Sequence, residues 1–206
     1  NGDAAFWDKL QQTGYETVST EVFAKMADTQ TPQGILTVLE QPVYDLTQLL
    51  EQPDPLFLML ENLQDPGNLG TMIRTGEGAG ITGVIMNNQT VDIFNPKTIR
   101  ATMGSIFRVP FVYVPDLALV LEQMHAKGIY TYAAHLKGQE YYDSFSFREP
   151  TAFLIGNEGN GLSKEISDQA GQYLKIPMEG RVESLNASIA AALLMYEAHR
   201  QRSARL

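Results

Sequence analysis

Residues 56–86 read LFLMLENLQDPGNLGTMIRTGEGAGITGVIM, and the fold turns on how that stretch divides. LFLML, residues 56–60, is a continuous apolar run of the length of a buried strand. Asp65-Pro66-Gly67 makes a turn, and Asn68 can cap a helix that starts within the next residue or two. The helical pattern runs to the glycines around Gly80, and GVIM, residues 83–86, is a second apolar strand. Gly78, Gly80 and Gly83 spell G-x-G-x-x-G, but a dinucleotide site needs that triplet to follow a strand and open a helix. Here the order is reversed. The glycines therefore read as a helix stop and a close packing contact, which speaks against a nicotinamide or flavin site. Arg74 lies nearly two turns beyond Asn68 and about 120° round the helix from it. A cap plus a surface arginine and a functional pair both remain open at this point.

The alternation continues outward from this unit. A helical stretch NPKTIRATMGSIF, a strand in VPFVYV, a helix over about 116–127, strands in IYTYAAH and TAFLIG, a helix over about 163–171, a strand YLKIPM and a terminal Ala-rich helix follow. Short apolar runs alternating with amphipathic stretches predict a parallel sheet covered by helices, an α/β domain over residues 53–206. Residues 1–52 read differently, with a short helical pattern, polar punctuation and one expected strand, Ile35–Leu39. The EQPDP segment favours an extended hinge, because each proline pushes the residue before it out of the helical region.

At 206 residues, 44% hydrophobic and 19% charged, the chain suits one large domain with an appendage. No apolar run reaches the ~18 residues that cross a bilayer, and the N-terminus shows no signal-peptide pattern. The chain contains no cysteine, so disulfides, thiolate metal sites and cysteine nucleophiles are excluded, and a reducing, cytoplasmic setting is expected. The net charge of -9 argues against a surface built throughout to hold nucleic acid. Arg200, Arg202 and Arg205 could still form a local phosphate-binding patch or simply a solvated helix end. His125, His135 and His199 have no metal-ligand spacing, and no metal is called for.

Two further stretches carry candidate chemistry. In FLIGNEGNGLS, residues 153–163, an apolar strand runs into a Gly-rich loop that holds one carboxylate, Glu158, where open α/β sheets bind ligands. The loop lacks the Gly-Lys-Ser/Thr ending of a phosphate-cradling loop, and a plain long turn is the alternative. In RVESLNASIAAALLMYEAHRQR, residues 181–202, Ser184 or Asn186 is the expected cap of a helix that is apolar on two faces. A cap needs one polar residue, so two of Ser184, Asn186 and Ser188 are left over.

Taken in order, N-x-x-D-P-x-N-x-G-x-x-x-R-T (Asn62 to Thr75), IGNEGNGLS and IPMEGRVESLNASIAAALLMYEAHRQR resemble the three signature motifs of the SpoU, or TrmH-like, RNA 2′-O-ribose methyltransferases of the SPOUT superfamily. The resemblance spans about residues 55–206. It implies a parallel α/β sheet closed by a C-terminal deep trefoil knot, a rare exception to unknotted topology. It further implies S-adenosylmethionine as cofactor, held against the backbone of Gly156, Ile176 and Leu185 with Asn157, Met178 and Ala133 nearby. It assigns Asn68, Arg74, Glu158, Ser184 and Asn186 to the reacting centre. Arg74 has been taken as the base in this family; a guanidinium stays protonated below a pKa of ~12, so a phosphate or oxyanion contact is the preferred role. The implied partners are RNA, ribosomal RNA favoured over transfer RNA, and a second copy of the chain, paired as a homodimer through the knot region. By the same resemblance, residues 1–52 look like the end of a small α/β RNA-binding domain plus linker. A non-catalytic RNA-binding or assembly factor that keeps the fold is the alternative from another class.

Overall fold

The computed structural model of the chain describes residues 4–27, 29–182 and 184–203, so Arg205 lies outside the described residues. The chain divides into two compact units, residues 1–41 and 42–206.

In the first unit, α1 (Ala4–Thr13) and α2 (Thr20–Met26) form, and Ser19 caps α2 by accepting from the Val22 amide at 3.3 Å. No residue of α2 is buried. The strand expected over Ile35–Leu39 is not formed, and Val38 is 87% exposed. β-Branched residues favour an extended backbone, but a strand persists only where a neighbour pairs its N–H and C=O groups, and none does here.

The second unit takes in more of the chain than the division expected at residue 53. It begins at Pro42, and α3 (Leu46–Leu50) buries Leu49 and Leu50 in its core. The remaining elements are β1 (Leu56–Leu60), α4 (Pro66–Ala79), β2 (Gly83–Asn87), α5 (Pro96–Thr102), β3 (Phe111–Val114), α6 (Leu117–Ala126), β4 (Tyr130–Ala134), β5 (Glu140–Tyr141), β6 (Thr151–Ile155), α7 (Lys164–Gln169), β7 (Gln172–Lys175) and α8 (Ala187–Ser203). The strands form one seven-stranded sheet, in order β3-β2-β1-β6-β4-β7-β5. Every pairing is parallel, as in Leu56 opposite Thr151 and Leu60 opposite Ile155.

β1, β2 and β6 are buried along their whole length, which is why their sequences run apolar without alternation. Helices cover both faces. Leu56, Leu58 and Leu60 pack with Leu69, Met72 and Ile73 of α4 and Ala191, Leu194 and Met195 of α8. Phe57 and Met59, one residue out of phase, pack with α3 and with Val120, Leu121 and Met124 of α6.

At the N-terminal end of the sheet, α8 is fastened by its last turn. The Arg202 guanidinium donates to the main-chain carbonyls of Phe147 (2.8 Å), Asp54 (2.8 Å), Pro55 (3.3 Å) and Glu149 (2.7 Å). Gln201 accepts from the Phe147 amide at 2.7 Å and donates to the Phe145 carbonyl at 2.9 Å. Arg200 pairs with Glu197 at 2.7 Å. Arg202 is thus committed to the protein's own main chain, whereas Arg200 stays on the surface in an exposed ion pair.

Candidate active site

The C-terminal ends of β1 and β6 lie side by side where the strand order reverses, the position at which open α/β sheets bind ligands. The buried carboxylate of Glu61 accepts from the Ser163 amide at 2.7 Å, tying the end of β1 to the start of α7. Asn62 turns the chain with φ 55, and it exchanges hydrogen bonds with Asn87 at the end of β2, at 2.9 and 2.8 Å. Its carbonyl accepts from the Asn157 side-chain NH₂ at 2.9 Å. The first asparagine of the opening motif therefore ties three strand ends together.

Beyond β6 the Gly-rich loop doubles back on itself. A Cβ on Gly156 would lie 2.1 Å from the main chain of Gly161 and Leu162, so only glycine fits. Asn157 and Gly161 exchange main-chain hydrogen bonds at 3.0 and 2.8 Å, and the Asn157 side-chain oxygen accepts from Gly159 and Asn160. This rigid turn projects Glu158 toward the start of α4. There its carboxylate accepts from the amides of Gln64 (3.1 Å) and Asp65 (2.9 Å) and from the side-chain NH₂ of Asn68 (3.1 Å). Burial alone would raise the Glu158 carboxyl; the donors from Asp65, Gln64 and Asn68 outweigh it and hold it below its ordinary value. Glu158 is therefore ionised at neutral pH and can only accept.

That fact sets the direction of a longer chain. Asn68 is not the cap of α4, as its position suggested. Asp65 is, accepting from the Asn68 amide at 2.8 Å, with Pro66 at the first turn. The Asn68 side chain is thereby released. Since it gives its NH₂ to Glu158, its oxygen faces away and accepts from the Asn186 NH₂ at 3.0 Å. The Asn186 oxygen must then face the start of α8, where it accepts from the Ser188 amide (2.9 Å), the Ser188 hydroxyl (2.6 Å) and the Ile189 amide (3.3 Å). A carboxylate at one end and helix N–H groups at the other demand the same amide orientations, so the two asparagines are locked from both sides. Asn186 is the cap of α8, and Ser188 supports it from within the first turn.

Beside this chain lies a cavity of about 280 Å³. Gly156, Asn157, Ile176, Met178 and Leu185 line it, together with Glu158 and Ser184. Ala133 does not: it is fully buried, and alternation along β4 brings its neighbour Ala134 to the cavity. β7 is shorter than expected; it stops at Lys175, which frees Ile176 and Met178 from the ladder to form a wall. Arg74, further along α4, is exposed, and among the described residues its guanidinium has no hydrogen-bond or ion-pair partner. Glu61, Gln64 and Asn87, all part of this framework, carry no candidate role in the sequence reading, and Asp65 appears there only as a turn and motif residue. Asp65 alone had a local signal, an Asp-Pro pair ahead of a helical pattern. No group of three or more His, Asp or Glu able to hold a metal ion occurs among the described residues.

Residues 55–196 match the family described as the SpoU rRNA Methylase family. The 23S rRNA (guanosine(2553)-2′-O)-methyltransferase RlmP of Bacillus subtilis is 35% identical over 179 residues, covering 87% of this chain and 70% of that protein. The 23S rRNA (uridine(2479)-2′-O)-methyltransferase of Streptomyces viridochromogenes is 33% identical over 199 residues, covering 90% of this chain and 69% of that one. Among solved structures, an AdoMet-bound rRNA methyltransferase from Sinorhizobium meliloti superposes with a TM-score of 0.82 at 34% identity, covering 88% of this chain and 70% of that chain. The chain thus spans about two thirds of the length of the proteins it matches.

Proposed function

This chain belongs to the SpoU rRNA methylase family, and on that footing we propose that it transfers a methyl group from AdoMet to a ribose 2′-hydroxyl of RNA, with ribosomal RNA the favoured substrate. The observation that carries the reading is the continuous chain Glu158–Asn68–Asn186, which joins one residue from each of the three motifs and reaches a single cavity through Glu158. The cavity suits the cofactor by its chemistry. Ile155, Leu174, Ile176, Met178 and Leu185 offer apolar walls to a purine, and the main chain around Gly156 lies open at its edge for polar contacts.

Bound AdoMet would supply an electrophilic sulfonium methyl; the residues of this chain supply position and charge. The locked amides of Asn68 and Asn186 offer fixed groups against which a ribose can be oriented, and Ser184 adds a hydroxyl on the cavity wall. Arg74, without a partner among the described residues, is free to hold an RNA phosphate or the developing oxyanion. Proton removal falls to water or a less basic group than arginine. Glu158 acts through Asn68, as a positioning residue.

The wider reading includes the trefoil knot, a homodimer and an RNA-binding role for residues 1–52. The meeting of residues 156–162 with Ile176, Met178, Ser184 and Leu185 at one cavity supports the knot. Ile189, Leu193 and Tyr196, exposed along one side of α8, support a partner subunit on that face. We place the protein in the cytoplasm, where ribosomal RNA is available. Transfer of tritiated methyl from labelled AdoMet to ribosomal or transfer RNA tests the activity. Nuclease digestion should then yield a 2′-O-methyl nucleoside; a modified base, or no label in either RNA, would overturn the reading.

A further inference from the structure

His135 follows β4 and lines the cavity, with its main chain anchored and its imidazole held at one nitrogen and one face. Its own amide donates to the Leu174 carbonyl at 3.0 Å, which anchors its main chain to β7. Its Nδ1 accepts from the Lys137 amide at 3.0 Å. One ring face stacks on Tyr173, with centroids 4.8 Å apart and planes 17° from parallel, and the Tyr173 hydroxyl is itself fixed by donating to Asp168 at 3.1 Å.

These contacts settle the proton. A ring nitrogen that accepts from a main-chain N–H carries no hydrogen, so the neutral imidazole bears its proton on Nε2. Burial, together with the positive charge of Lys137, holds the His135 pKa below its ordinary value and favours that neutral form. Among the described residues the Nε2–H has no partner. Two other polar side chains of the cavity differ from it. Asn157 and Glu158 are committed to the protein's own main chain and to Asn68, whereas His135 keeps a donor of fixed tautomer.

We propose that His135 is a cofactor-binding residue, whose Nε2–H donates to an acceptor oxygen or nitrogen of AdoMet in this cavity. The inference rests on the function proposed above and adds a side-chain donor of fixed direction to the pocket. His135→Phe keeps an aromatic ring on Tyr173 but removes the donor. His135→Gln gives up the ring but returns an N–H near the position of Nε2.

Calorimetric titration of the full chain with AdoMet, paired with methyl-transfer kinetics at saturating AdoMet, is the test. His135→Phe should weaken AdoMet binding by about five- to tenfold, the size of one hydrogen bond. His135→Gln should stay within about threefold of the wild type, and kcat should be unchanged in both. Three results overturn the inference alone, given a wild type that binds: Phe binding within twofold of wild type, Gln binding as weakly as Phe, or a fall in kcat with affinity intact. A wild-type chain that fails to bind AdoMet at all would overturn this inference together with the proposed function.

Discussion

The two ends of the sheet both use side chains to bind main-chain groups, yet they leave different things behind. At the N-terminal end, Arg202 and Gln201 take up carbonyls and an amide so that α8 closes onto the strands. At the C-terminal end, Glu61, Asn62, Asn87 and Asn157 tie the strand ends together beside a cavity, and Glu158 on its wall fixes the direction of the Asn68 and Asn186 amides. One end is a fastening; the other is a frame that holds functional groups still. Substitutions that separate stability from turnover test this division, and they fall in order of their expected effect on turnover.

Arg74→Ala should have the largest effect. The side chain is exposed and without a partner among the described residues, so its removal has no structural cost to impose. A lost contact to phosphate or oxyanion should lower methyl transfer on the order of 10²–10³-fold, with AdoMet affinity by calorimetry nearly intact. An equal loss of cofactor affinity would move Arg74 out of the reacting centre.

Glu158→Gln comes next. The carboxylate accepts from three donors, and a glutamine must turn an NH₂ toward one of them. The amide order of Asn68 and Asn186 is then no longer imposed, and we expect a roughly 10- to 100-fold fall in kcat. Because the Glu158 pKa lies below its ordinary value, the wild-type chain keeps this order from neutral pH down through the usual carboxyl range. It is lost only as pH falls through the depressed value. Single-turnover rates within twofold of the wild type would show that amide direction does not matter.

Much of this arrangement was legible where a local rule applied. LFLML and TAFLI read as parallel strands because burial on both faces leaves no room for alternation. Ile35–Leu39 misled for the converse reason: propensity is local, and a strand needs a partner. Asn68 stands where a cap is expected, but the Asp65-Pro66 pair is the stronger cap signal and takes that task, which leaves the Asn68 side chain to Glu158 and Asn186. Ala133, which the resemblance implies lies near the cofactor, does not line the cavity; its neighbour Ala134 does, because successive residues of β4 face opposite sides of the sheet. Glu61 and Asn87 act through partners 102 and 25 residues away, and no local pattern announces such pairs.

Asn186 joins the frame to a helix, so two substitutions divide its roles. Asn186→Ala removes both the cap and the donor to Asn68, and it should cost about 1 kcal/mol of stability together with a roughly tenfold loss of kcat. Asn186→Asp retains an oxygen for the Ser188 and Ile189 amides, and a negative charge there suits the helix N-terminus. It cannot donate to Asn68. Thermal melts should therefore place Asn186→Asp at or above the wild type while its kcat falls like that of the alanine variant. Full recovery of kcat in Asn186→Asp would make Asn186 a cap and nothing more.

Arg202→Ala should leave turnover per folded molecule where it is, and so marks the other side of the comparison. The guanidinium binds carbonyls at Asp54 and Pro55, just ahead of β1, and at Phe147 and Glu149, just ahead of β6. These are the strands whose opposite ends carry the site. Loss of the charged donors should cost about 2–3 kcal/mol, a fall of roughly 4–12 °C in melting temperature for a domain of this size. If the sheet is as rigid as its burial implies, its far end does not register the change. A fall in kcat at temperatures where the variant is fully folded would mean that the fastening and the frame are coupled through β1 and β6, and that the site depends on strand register as well as on its own hydrogen bonds.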